Sequence, residues 1–88
     1  MLINKDFTIQ KVGASYLAVP VGETSKHFHG MIRLNETGAF LWKLMAEKDC
    51  TEADLVESLL AEYEVEREIA ERDVHVIVEL LRENNCFA

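Results

Sequence analysis

The run GMIRLNETGAFLWKLM, residues 30–45, passes from a strand pattern to a helix pattern across a single polar residue. In its MIRL segment alternate side chains face opposite ways, Met31 and Arg33 to one side, Ile32 and Leu34 to the other. Asn35 is a favoured helix N-cap, and Glu36 sets a carboxylate at the positive end of the helix dipole. So short a join leaves strand and helix little freedom to pack separately. Gly38 then needs a reason, because glycine costs a helix interior about 1 kcal/mol relative to alanine. The reason read here is close approach of the helix backbone to a neighbouring element, with Trp42 filling the core one turn later. Both residues are expected to be structural and to hold strand and helix as one rigid piece.

Upstream, FTIQKV (residues 7–12) and SYLAVPV (residues 15–21) are β-type runs separated by Gly13-Ala14, the spacing of a hairpin. Pro20 cannot donate to a ladder and is expected near the end of its strand. GETSKHFHG, residues 22–30, is polar and bounded by glycines, hence a loop. Downstream, the first helix is expected to reach about Glu47. Thr51-Glu52-Ala53-Asp54 approximates a capping box, with Asp in place of the usual Glu or Gln. Leu55, Val56, Leu59, Leu60 and Tyr63 then share one face of a second helix. A third helix is expected from about Glu66 to Asn84. The order βββααα gives an α+β fold, a three-stranded antiparallel sheet followed by three helices, in one domain spanning all 88 residues.

Charge and composition narrow the function. Nine Lys/Arg against sixteen Asp/Glu leave a net charge of −7. Nucleic-acid affinity rests mainly on neutralising phosphates, and no concentrated basic patch offsets the acidic balance. Nucleic acid is therefore not expected as a partner. No apolar run approaches the ~20 residues of a membrane span, and the N-terminus lacks the basic-then-apolar layout of a secretory signal. No membrane association is expected, and the cytoplasm is the default location. Cys50 and Cys86 stand far apart without metal-ligand spacing and read as free thiols. His27 and His29 form H-x-H, too few ligands for a closed zinc site, and read as a solvated loop. Neither a nucleophile turn, a phosphate-binding glycine loop nor a metal motif is present, so no catalytic role and no cofactor are expected.

The third helix carries more apolar surface than a core needs. At 100° per residue, Glu68, Glu71, Arg72, His75, Glu79, Arg82 and Glu83 share one arc of roughly 120°. Ala70, Val74, Ile77, Val78 and Leu81 form one apolar stripe, and Ile69, Val76 and Leu80 a second, displaced by about 130° with Asp73 between them. One stripe seats a helix on a small domain. The second must be covered by the sheet, by a ligand in a groove, or by a second copy of the chain. A carboxylate such as Asp73 in an apolar setting needs a donor partner, which favours the groove. The strand of residues 31–34, last of a three-strand meander, has one edge free. Beside an apolar helix face, such an edge can accept an extended peptide.

The segments LNETGAFLW, TEADLVESLLAEYEV and ERDVHVIVELLRENN resemble the PqqD-like family, whose namesake is the coenzyme PQQ synthesis protein D. The likeness is close over about residues 31–87 and loose over the hairpin, and LNxTGAxxW is its most specific part. It implies a small winged-helix-like domain, a precursor-peptide recognition element. Members bind the leader of a ribosomally made peptide and present it to a modifying enzyme, in many cases a radical SAM enzyme. In the family the leader adds as a strand beside the third β-strand, against the third helix. That places the peptide along Met31, Ile32, Arg33 and Leu34. On the helix it selects Ile69, Val76 and Leu80, with Asp73 and Arg72 as polar contacts, an assignment that comes from the helical wheel. Asn85 stands where many relatives carry glycine, and asparagine is the next-best residue for a left-handed cap.

Two other classes fit the element order. A winged-helix DNA-binding regulator combines the same elements, but the exposed face of its recognition helix would here be acidic. A homodimerisation module would bury the second stripe against a copy of itself.

Overall fold

A computed structural model of the chain describes residues 1–22 and 32–88. The loop expected over residues 22–30, with His27 and His29, lies outside the described residues except for Gly22, as does Met31. Strands β1 (Phe7–Val12), β2 (Ser15–Pro20) and β3 (Ile32–Leu34) precede helices α1 (Glu36–Glu47), α2 (Glu52–Glu62) and α3 (Arg67–Glu83). The sheet is antiparallel in the order β1-β2-β3. Winged-helix-like is a loose description of it; three strands followed by three helices is the firm one.

The hairpin forms as the sequence suggests. Val12 pairs with Ser15 across Gly13-Ala14, and only Gly13 has a positive φ, 63°, the pattern of a type II′ turn. Pro20 is the last residue of β2, where its missing donor does not interrupt the ladder. Cross-strand partners share a face, so the register sorts the side chains. Phe7, Ala18, Ile32 and Leu34 face the helices and are buried, whereas Leu17 and Arg33 lie opposite each other on the outer face.

Each helix starts and stops on local chemistry. Asn35 accepts a 2.8 Å hydrogen bond from the Gly38 amide, capping α1. Thr51 and Asp54 form a complete capping box on α2, the Asp54 amide donating to Thr51 Oγ1 and the Thr51 amide to Asp54 Oδ2. The Thr51 amide, and after it the Thr51 hydroxyl, hold the exposed Asp54 carboxyl below its ordinary pKa. At the end of α3, Cys86 N–H donates to Leu81 O and Asn85 N–H to Arg82 O, a Schellman motif with Asn85 at φ 57°.

One connection has no counterpart in the sequence reading. Ile3 bridges to Phe87, Ile3 N–H donates to Met45 O, and Asn4 N–H donates to Cys86 O. The first residues thus tie the end of α1 to the segment after α3. Cys50 and Cys86 are both free and buried.

Gly38 explains the tight strand-to-helix join. A Cβ there would lie 3.2 Å from Ile77 Cδ1, 3.2 Å from Asn35 Oδ1 and 3.3 Å from Leu34 Cβ. The missing methyl group lets α1 pass close to β3 and α3 together. Trp42, one turn on, is 2% exposed and meets Phe7 edge-to-face at 6.5 Å.

Candidate functional site

The candidate site lies where β3, the start of α1 and the middle of α3 meet. β3 pairs with β2 on one edge and has no strand partner on the other among the described residues. Its side chains alternate buried, exposed, buried for Ile32, Arg33 and Leu34. Ile32 and Leu34 therefore belong to the core, and only their backbone groups are available at the edge.

Next to this edge, Asn35, Thr37, Leu41, Asp73, Val76 and Ile77 line a cleft of about 150 Å³ between α1 and α3. Asn35 follows β3 directly, so the strand edge and the cleft are continuous. The floor is apolar, and Asp73 supplies its one ionised side chain.

The two stripes of α3 have different fates. Ala70, Val74, Val78 and Leu81 are fully buried against the core. Ile69 and Val76 are 38% and 58% exposed, so the sheet does not cover them, while Leu80 is half-buried and packs partly on the core. Of the helix positions singled out in the sequence, Asp73 and Val76 reach the cleft. Ile69 and Leu80 continue the same stripe along α3 to either side of it. Arg72 is exposed and lies across that stripe, toward the charged arc, outside the cleft lining. The sequence reading missed Thr37 and Leu41 and gave Ile77 to the core alone. Ile77 does both, packing partly on the core while lining the cleft.

A second, more polar crevice of about 340 Å³ separates α2 from α3. Two exposed pairs cross it: His75 Nδ1 lies 3.2 Å from Glu52 Oε1, and Arg67 Nη2 2.9 Å from Glu57 Oε1. Exposed pairs of this kind contribute little to stability. Among the described residues no group of three or more His, Cys, Asp or Glu side chains is placed to hold a metal ion. No polar or charged side chain there is buried. No described helix is long and apolar enough to cross a membrane.

A three-stranded sheet with a free edge, flanked by a cleft on its third helix, defines a small α+β domain with a groove fit for an extended chain. Residues 21–86 match the family model of PqqD, coenzyme PQQ synthesis protein D. The chain belongs to that family. Two solved structures are similar in fold. One is TbiB1 in complex with the TbiA(beta) leader peptide, with 21% identity, a TM-score of 0.73, and coverage of 98% of this chain and 93% of that one. The other is lasso peptide synthetase B1 complexed with the leader peptide, with 27% identity, a TM-score of 0.68, and coverage of 93% and 89%. No curated protein matches the sequence.

Proposed function

We propose that this chain is a non-catalytic, cytoplasmic adaptor. It binds the leader of a ribosomally made precursor peptide by strand addition and presents it to a modifying enzyme, of the radical SAM type in the reading that the family resemblance gives. The observation that carries this is the edge of β3, without a strand partner among the described residues, running into the cleft between α1 and α3. Leader peptides bound to the two similar structures support the same class of ligand.

In this reading the leader pairs with the backbone of Met31, Ile32, Arg33 and Leu34, which sets its register. Val76 and the cleft floor take an alternate side chain, Ile69 and Leu80 extend the apolar contact along α3, and Asp73 and Arg72 are the polar contacts. Burying the exposed part of Val76 and Ile69 supplies affinity that the short edge alone does not. The acidic exposed face of α3, with Glu68, Glu71 and Glu83, argues against the DNA-binding alternative.

The test is an amide NMR titration with a synthetic leader taken from a precursor gene beside this one. Saturable shifts at residues 32–34 and around Ile69, Asp73, Val76 and Leu80, absent with a scrambled leader, are expected. A folded spectrum that does not move would overturn the reading. Light scattering on the same samples separates a dimer covering the second stripe, which would double the mass and compete with the leader.

A further inference from the structure

Asp73 is out of place as a helix residue. Its neighbours at i±3 and i±4 on α3 are Ile69, Ala70, Val76 and Ile77, all apolar. Every other charged residue of α3 has a charged or histidine neighbour at one of those positions. Aspartate is also among the weaker helix formers, so local helix chemistry does not call for it here. Asp73 lines the α1–α3 cleft together with Asn35, Thr37, Leu41, Val76 and Ile77. Among the described residues it has no hydrogen-bond or ion-pair partner. The cleft thus presents an apolar floor and one unspent negative charge.

Resting on the peptide-binding reading above, we infer that Asp73 selects leaders carrying a lysine or arginine two residues from the apolar side chain that enters the cleft. The spacing follows from the geometry of an added strand. Side chains i and i+2 of a strand share a face and stand roughly 6.6 Å apart. Asp73 and Ile77 are one helical turn apart, roughly 5.4–6 Å along α3. In an added strand that runs along α3, an apolar side chain seated on Val76 and Ile77 puts its neighbour two residues away beside Asp73.

The intervening residue of the added strand faces the other way, onto the outer side of the sheet. Arg33 lies on that side, exposed and without an ion-pair partner among the described residues. Opposite charges on adjacent strands attract, so this position favours aspartate or glutamate. The recognised pattern is apolar–acidic–basic or its reverse, with the basic residue in phase with the apolar anchor and the acidic one out of phase.

The test is selection of random twelve-residue peptides displayed on phage against the full chain, repeated with Asp73→Asn, Asp73→Glu and Asp73→Lys. With the natural residue, enriched peptides are expected to carry Lys or Arg two positions from an aliphatic or aromatic residue. Asp73→Glu keeps that preference, Asp73→Asn removes it, and Asp73→Lys turns it toward Asp or Glu. A synthetic copy of the most enriched peptide should lose about three- to fivefold in affinity for Asp73→Asn, as expected for one exposed pair. Peptides that shift the amides of residues 32–34 and 76–77 yet show no basic preference, or the same preference with every Asp73 variant, would overturn the inference and leave the binding site standing. Enrichment of no peptide, or only of peptides that shift amides elsewhere, would overturn the peptide-binding reading and the inference with it. Thermal melts separate a structural role: if Asp73→Asn lowers the melting temperature without altering peptide preference, Asp73 serves the start of α1 rather than a ligand.

Discussion

Val74 and Val76 are two residues apart on α3 and identical in chemistry. Val74 has no exposed surface, and Val76 is 58% exposed. The same contrast runs along the helix, with Ala70, Val78 and Leu81 on the buried side and Ile69 on the open one. Residue type does not separate apolar side chains that fold the chain from those left for a partner. What separates them is where the neighbouring elements end. α2 packs along the first stripe, whereas α1 meets α3 at the cleft around Val76 and Ile77 and leaves the rest of the second stripe open.

The comparison breaks if the two stripes respond alike to truncation. Leu81→Ala, in the buried stripe, is expected to cost about 3 kcal/mol, a fall in melting temperature of about 10–20 °C. If it melted within a few degrees of the parent, α3 would not be seated as described. Gly38→Val tests the corner that positions both stripes. Its new methyl groups meet Ile77, Leu34 and the Asn35 cap, so a loss of about 2 kcal/mol is expected in denaturant unfolding. Unchanged stability would remove the close-packing argument.

On the open stripe the effects should move from stability to binding. Ile69→Ser with Val76→Ser is expected to leave stability within about 0.5 kcal/mol while weakening leader binding by about tenfold, read by calorimetry. A large stability loss from that pair would mean that the stripe belongs to the core after all.

The cap of α3 allows a smaller and opposite change. Asn85 holds a left-handed φ, so Asn85→Gly is expected to raise stability by about 0.5 kcal/mol without touching the cleft.

The last prediction concerns alkaline pH. Burial pushes the Cys86 thiol up from 9.0 to about 11. Between those values the unfolded chain releases a proton that the folded chain keeps, so stability falls as pH rises through the window. A Cys86→Ala variant should lose that part of the slope in unfolding curves taken from pH 8 to 11.

Much of the fold was legible because its punctuation is local. Asn35, the Thr51–Asp54 box, Gly13 and Asn85 each act within a few residues, and each stands where the sequence places it. The reason for Gly38 was legible too, though not the identity of its neighbours. The cleft was only half legible. A helical wheel gives the direction in which a side chain leaves its own helix, and so found Asp73 and Val76. It says nothing of where a second helix crosses, which is what brings Thr37 and Leu41 to the site and gives Ile77 a share in it. Arg72 stands in the charged arc of the wheel and is exposed, outside the cleft lining. The link from Ile3 to Phe87 carried no periodic signal, because a lone bridge needs only two residues to meet.

Among the described residues the edge of β3 is three residues long, about 10 Å of ladder. Free strand edges invite copies of a protein to join into runaway sheets, and short ones resist it because too few backbone groups line up to hold a second edge in place. Brevity here works as a filter on company. A chain that offers only its backbone gains too little to stay, and one that also fills the neighbouring cleft can. An open edge is thus kept available for a guest without becoming a seed for polymerisation.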